Sequence, residues 1–336
     1  MDMIETLYEI LQEWEKDDQV TFICLEGEGQ RAFCAGGDVR ALYDLRNSNV
    51  EEHAHYFFET EYRMNRMMFT YPKPILVYMN GVVMGGGVGI SVGASHRIVT
   101  EGTKWAMPEM NIGLYPDVGG SYFLNKMPGE IGRYLALISK TITASDVLYI
   151  GAADYYLNSD LWDNLKGVIM QNKWLGTTVK EELHQLILKF NQSMENTSTL
   201  ATLETTINKH FGFNSMEEIF NSLEKSAEEG DSWAKKTKEI LLTKSPTSLK
   251  VTLRQLMEGK TKSLVDCFKM ELDLSMNFMK SHDFFEGVRA VLVDKDQSPN
   301  WHPDTIEKVE EKDVESFFKY QWKDGRNPLE EINKTL

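Results

Sequence analysis

The segment Ile75-Leu76-Val77-Tyr78-Met79 is apolar at every position, with Pro72-Lys73-Pro74 before it and the turn dipeptide Asn80-Gly81 after it. A strand with no polar face has to be covered on both sides, which parallel sheets with helical crossovers achieve. Val20-Thr21-Phe22-Ile23-Cys24-Leu25, closed by Gly27 and Gly29, and Arg97-Ile98-Val99-Thr100 have the same character. Helical patterns alternate with these strands. Ile4, Leu7, Leu11 and Trp14 form an apolar stripe that ends by Asp17-Asp18, a second helix is expected over 51–69, and Thr143 to Asp146 with Gly151 supply the two caps of another. The pattern predicts an α/β layer architecture. From about Leu161 the chain turns rich in Lys, Glu, Leu and Met, and Ser245-Pro246 introduces an amphipathic stretch from Leu249 to Met257. The expected division is therefore an α/β core over 1–160 and a helical region over 161–336, with no internal repeat evident in the sequence.

Length and charge narrow the function. At 336 residues the chain has room for about two domains at roughly 150 residues each. With 36 Lys and Arg against 51 Asp and Glu, and a net charge of −15, it lacks the basic blocks that phosphate backbones require, so nucleic acid is not expected as a partner. No run reaches the ~18 apolar residues of a membrane-spanning helix. Only Cys24, Cys34 and Cys267 are present, which argues against a disulfide framework and for a reducing compartment. Because the acidic opening Met1-Asp2-Met3-Ile4-Glu5 resembles neither a transit peptide nor a secretory signal, the expected location is the cytoplasm.

Two glycine bends follow two of the strands: Phe33-Cys34-Ala35-Gly36-Gly37-Asp38 and Gly85-Gly86-Gly87-Val88-Gly89. Either is readable as an ordinary strand-to-helix turn, the first with Asp38 as a cap. Together they fall at the carboxyl ends of strands, where open α/β sheets hold ligands, and converging N–H groups there would make an oxyanion hole. Neither carries Gly-Lys-Ser/Thr or a third glycine at the dinucleotide offset, so nucleotide binding is not expected. A second cluster runs from Met107-Pro108-Glu109 to Tyr115-Pro116-Asp117-Val118-Gly119-Gly120. Its two carboxylates, among apolar and glycine neighbours, are either helix caps or a catalytic acid and base with tuned environments. The seven histidines show no zinc-ligand spacing and are expected at the surface, so no metal is predicted. No Gly-x-Ser-x-Gly elbow occurs, and Cys34 reads as a small buried residue rather than a nucleophile.

Taken together, the two bends, the stretch from Asn80 to Gly89 and the stretch from Pro108 to Gly120 resemble the crotonase superfamily of enoyl-coenzyme A hydratases and isomerases. Glu109 with Asp117, and Glu286-Gly287-Val288-Arg289-Ala290 running into Asp294 to Trp301, are similar to its 3-hydroxyisobutyryl-CoA hydrolase branch. This resemblance implies a ββα superhelix with a helical C-terminal region. It also implies that the N–H groups of Gly37 and Gly86 polarise a thioester carbonyl, that Glu109 and Asp117 do acid–base or nucleophilic work, and that Glu61 meets the acyl group. Thioester hydrolysis builds charge on the carbonyl oxygen and demands an activated water, met by a carboxylate acting as base or forming a transient anhydride. The family serves valine breakdown and needs no cofactor, coenzyme A being part of the substrate. Arg40, just past the first bend, is a candidate for the coenzyme A phosphates or else a surface charge. Where the hydratases carry a second glutamate this sequence has Gly89, so weak or absent hydration is expected. Hydratase or isomerase activity, and coenzyme A binding without catalysis, are the rival readings. Relatives carry some two dozen residues, forming initial strands, ahead of the helix that opens this sequence; they are often trimers or dimers of trimers.

Overall fold

The structure, a computed structural model, describes residues 2–194 and 196–330, apart from the side chain of Thr177. Its contacts divide the chain into two compact bodies. The first takes in the residues up to Gly37, Met64–Ala106 and Thr141–Thr202; the second takes in Asp38–Arg63, Met107–Lys140 and the chain from Leu203 on. The expected boundary near 160 is one of composition, and each body draws residues from both sides of it.

Among the described residues, eight strands lie in the first body: β1 (Ile23–Glu26), β2 (Ala32–Cys34), β3 (Ile75–Met79), β4 (Val82–Met84), β5 (His96–Val99), β6 (Lys104–Ala106), β7 (Ile142–Thr143) and β8 (Tyr155–Tyr156). They form two four-stranded sheets, ordered β1-β3-β5-β8 and β2-β4-β6-β7. All pairings are parallel except β6 with β7. The strand read from Ile75 to Met79 is β3, and every residue in it is buried.

Asn80-Gly81 does not close a hairpin. It turns the chain from β3 in one sheet to β4 in the other, and Gly81 sits at φ +76°, where a Cβ would fall 2.4 Å from the Arg31 carbonyl oxygen. Gly27, between β1 and β2, is as crowded, with the Ala32 carbonyl oxygen 2.3 Å from a would-be Cβ. The pairs β1-β2, β3-β4 and β5-β6 thus repeat one strand–corner–strand unit that the sequence does not display. Burial and corner sterics specify the unit, and many side chains satisfy both.

Helices Trp162–Gln171 and Val179–Leu188 pack with the first sheet. Trp162 stacks on Tyr78 at 4.0 Å and 2°, and Leu165, Leu183 and Ile187 join Leu76, Ile98 and Leu157 in one buried cluster. These helices share the composition of the C-terminal region, yet their apolar faces belong to the sheet.

The second body is helical. Pro246–Gly259 begins as its sequence implies, with the Ser245 hydroxyl accepting from the Ser248 N–H and Pro246 in the first turn. Helix Leu264–Phe278 presents a buried stripe that includes Phe268, Leu272 and Met276 together with two polar residues, Glu271 and Ser275. Against this body's core lie the 3-10 turn Glu109–Ile112, the loop that follows, and the short helix Gly120–Phe123. Among the described residues no helix is long and apolar enough to cross a membrane.

Candidate active site

Three carboxylates meet inside the second body. Glu61 comes from helix Val50–Thr70, Glu109 from the first position of its 3-10 turn, and Asp117 from the loop beyond, and they are only 4%, 6% and 6% exposed. Burial pushes the Glu61 and Glu109 carboxyls well above the usual range, and the Asp117 charge adds to both. Asp117 is pushed up to about 6, again by burial, against the pull of the Tyr62 hydroxyl, which lies 2.8 Å from its Oδ2 and donates to the ionised form. Glu109 Oε2 is buried without a hydrogen-bond partner among the described residues. Buried acids that repel one another, with one oxygen left open, form the kind of environment that holds or moves a proton near neutral pH.

The alternative reading of these carboxylates as caps does not describe their side chains. Gly120–Phe123 is held at its start by Glu271, whose oxygens accept from the N–H groups of Gly119 at 2.7 Å and Ser121 at 2.8 Å. Burial pushes Glu271 itself up to about 8. Asp117 is thereby free to face Tyr62. The next residue, Val118, adopts φ +51°, a region that a β-branched side chain normally avoids, followed by Gly119 at +91°.

Behind the Glu109 turn the backbones nearly touch. A Cβ on Gly113, at φ +63°, would fall 2.3 Å from the Asp283 carbonyl oxygen, and one on Gly287 would fall 2.3 Å from the Ile112 backbone. Glycine at both positions lets helix His282–Val288 lie directly on the turn. Lys244 donates to the Asn111 side chain at 2.5 Å from another side. The stretch after this helix is tied down by Arg289. Its guanidinium bonds Glu286 twice, at 2.9 and 2.8 Å, Asp294 at 2.7 Å, Asp296 at 2.6 Å and the Ser298 carbonyl at 3.2 Å. The acidic run from Asp294 to Asn300 is therefore a structural clamp for a loop.

In the first body the glycine bends lie against each other. Gly36, at φ +106°, has its would-be Cβ 3.3 Å from the Met84 carbonyl oxygen and 3.6 Å from the Gly86 nitrogen, and a Cβ on Gly87 would strike the Cys34 carbonyl oxygen at 2.2 Å. Gly86 is the first residue of helix Gly86–Val92, where an N–H has no partner within the helix. Gly37 follows Gly36 directly. Beyond it, Asp38 caps helix Val39–Asp44, accepting from the Ala41 N–H at 3.2 Å. Arg40 projects from that short helix with its side chain 57% exposed, 4.0 Å from Asp44.

The structure corrects some readings and adds others. His96 and His210 are buried rather than exposed. Both His96 ring nitrogens are met, by the Ser95 hydroxyl and the Lys180 carbonyl; His210 Nδ1 lies against the Ser222 hydroxyl, while its Nε2 is buried without a hydrogen-bond partner among the described residues. Cys34 is half-buried. Among the described residues no group of three or more His, Cys, Asp or Glu side chains is arranged to hold a metal ion. Sequence reasoning missed Tyr62, Tyr115, Glu271 and Ser275. The legible signal for the last two is a pair of polar residues one helical turn apart inside the apolar stripe of Leu264–Phe278.

A family profile described as Enoyl-CoA hydratase/isomerase matches residues 1–318, and the chain belongs to that family. The mitochondrial 3-hydroxyisobutyryl-CoA hydrolase of Gallus gallus is 42% identical over 321 residues, covering 94% of this chain and 82% of the relative. The small ribosomal subunit protein mS47 of Neurospora crassa is 38% identical over 323 residues, covering 91% of this chain and 64% of that protein. The crystal structure of a carnitinyl-CoA dehydratase from Mycobacterium thermoresistibile superposes with a TM-score of 0.86 at 34% identity, covering 95% of this chain and 89% of that one. The α/β crotonase fold with a helical C-terminal region is thus established. The cytoplasmic expectation is overturned, since the hydrolase relatives are named mitochondrial. The expectation rested on the opening Met1 to Glu5, which is no guide to the compartment of the mature chain, and few cysteines suit any reducing compartment, the mitochondrial interior included.

Proposed function

We propose that this chain is an acyl-CoA thioester hydrolase acting on 3-hydroxyisobutyryl-CoA or a close short 3-hydroxyacyl thioester. The observation that carries the reading is the buried, mutually repelling pair Glu109 and Asp117 in a relative of the 3-hydroxyisobutyryl-CoA hydrolases. Hydrolysis needs a polarised carbonyl and an activated water. In this reading the N–H groups of Gly37 and Gly86 take the developing oxyanion, where each fixed donor contributes about 2.7–4 kcal/mol. Glu109, with its open oxygen, activates water or attacks the acyl carbon; Asp117 moves the second proton, and Glu61 borders the acyl group. Arg40, exposed, meets the coenzyme A phosphates. The step belongs to valine breakdown, and the compartment that goes with it is the mitochondrion.

The likeness to mS47 raises a second reading, a structural part without turnover. Burying three acids with no Lys or Arg ion pair among the described residues costs stability, and a purely structural role gives nothing in return. Hydration of enoyl thioesters is disfavoured by Gly89, a buried glycine within helix Gly86–Val92. Thiol release from 3-hydroxyisobutyryl-CoA by the purified protein tests the proposal. Tight thioester binding with no thiol released supports the structural reading instead, and loss of the conjugated absorbance of an enoyl thioester supports hydration.

A further inference from the structure

A row of buried hydroxyl groups leads away from Asp117. Tyr62 OH lies 2.8 Å from Asp117 Oδ2 and 2.7 Å from Ser275 Oγ; Ser275 Oγ lies 2.7 Å from Tyr115 OH; Tyr115 OH lies 2.5 Å from the main-chain carbonyl of Glu271. Tyr62, Tyr115, Ser275 and Glu271 are all fully buried, so no bulk water enters the count. Burial and the neighbouring Asp117 charge push both phenols well above their ordinary range, and each keeps its hydrogen.

The row has four contacts. Its three hydroxyls bring three hydrogens, and its last member, a carbonyl, accepts only. If Asp117 is ionised, Tyr62 donates to it, Tyr115 donates to the carbonyl, and the one Ser275 hydrogen serves only one of its two neighbours. One pair of oxygens 2.7 Å apart is then left with no hydrogen between them. If Asp117 carries a proton, four hydrogens fill four contacts, all pointing from Asp117 through Tyr62, Ser275 and Tyr115 to the carbonyl. The Tyr62 and Tyr115 oxygens also approach to 3.3 Å, but that wider pair lacks a hydrogen in either state.

We propose that Tyr62, Ser275 and Tyr115 are positioning residues that assign the cluster's proton to Asp117, making it the acid of the reaction and leaving Glu109 as the group that activates water. This deepens the proposed hydrolysis and rests on it for the chemistry. The ionised Glu109 takes a proton from water as the oxygen bonds to the acyl carbon. The C–S bond breaks, and the Asp117 proton goes to the departing sulfur. Free acid and thiol leave, and the proton on Glu109 returns to Asp117 to close the cycle.

The groups facing Asp117 are Glu61 from helix Val50–Thr70, Glu109 from its 3-10 turn, Tyr115 from its own loop, and Glu271 from helix Leu264–Phe278. Burial and repulsion act on all three acids, raising Asp117 to about 6 and both glutamates well above their ordinary value, and do not by themselves single out Asp117. The hydroxyl row therefore makes a distinct claim.

Two variants separate it from a merely structural role. Ser275→Ala removes one hydrogen and two contacts, so the ionised form no longer leaves an empty contact. The alkaline limb of the kcat/KM profile for thioester hydrolysis should move down by about one pH unit. Tyr115→Phe likewise removes one hydrogen and two contacts while keeping Tyr62 as the donor to the anion, and the same limb should move down as well. A uniform loss of rate with both limbs fixed, or movement of the acid limb alone, overturns the assignment. A second readout needs no substrate, so it still decides the matter if the chain hydrolyses no thioester. The infrared absorption of protonated carboxyls, to which Glu61 and Glu271 also contribute, should lose one component in Asp117→Asn, and that component should titrate at lower pH in Ser275→Ala. A band that survives Asp117→Asn unchanged places the proton elsewhere and overturns the proposal.

Discussion

Two groups of acids in the second body receive opposite treatment. Glu61, Glu109 and Asp117 are buried with no Lys or Arg ion pair among the described residues, and each carboxyl is pushed up. Glu286, Asp294 and Asp296 surround Arg289, whose hydrogen bonds hold Glu286 and Asp296 below the usual range. The difference is one of partner. A carboxylate given a guanidinium is spent on fixing the backbone; one buried without such a partner keeps a proton within reach of neutral pH. Counting acids in a sequence does not tell these apart, whereas the position of a single arginine does.

The contrast is open to attack by substitution. Glu109→Gln should have the largest effect, lowering thiol release by about 10²–10⁴-fold while leaving the unfolding midpoint no lower; near-native turnover would remove Glu109 from the chemistry. If burial alone sets the charge of Asp117, Asp117→Asn should be more stable than the unaltered protein at pH 7.5, by roughly 1–3 kcal/mol, because an uncompensated buried charge is gone; if the hydroxyl row holds the proton there, the same gain should appear only at higher pH. The sign follows from its pKa, raised from 3.8 to about 6. Such an acid favours the folded state below its unfolded value, and that contribution is lost as pH climbs through its folded value. On burial alone, the advantage of asparagine should therefore be full above about pH 7 and vanish near pH 4 in denaturant melts.

Arg289→Met should act the other way, lowering the melting temperature through three acids left facing one another, with a smaller loss at high salt and a change in turnover within about tenfold. Asp296→Asn, at the exposed edge of the clamp, should change neither turnover nor melting temperature measurably. If Arg289→Met abolished turnover while leaving melting untouched, the clamp would belong to the reaction and the contrast would fail.

What the sequence discloses follows how local the cause is. The bounds of β3 are readable because five apolar residues stand between proline and glycine, and helix Pro246–Gly259 is readable from its Ser-Pro start. The second sheet is not, since β2, β4 and β6 have three residues each, too few for any period. Glu109 and Asp117 stand out as charges among apolar and glycine neighbours. Tyr62 and Tyr115 look like ordinary core aromatics, and Glu271 reaches the Asp117 loop from more than 150 positions away, so only folding reveals their parts.

Val118 draws these threads to one backbone angle. Held at φ +51°, it has fewer conformations to visit than a glycine there would, and its neighbours on both sides inherit that narrowness. Replacing it with glycine would ease the fold and at the same time let the preceding carboxylate wander. The aim of Asp117 is in this sense a consequence of discomfort one residue along the chain.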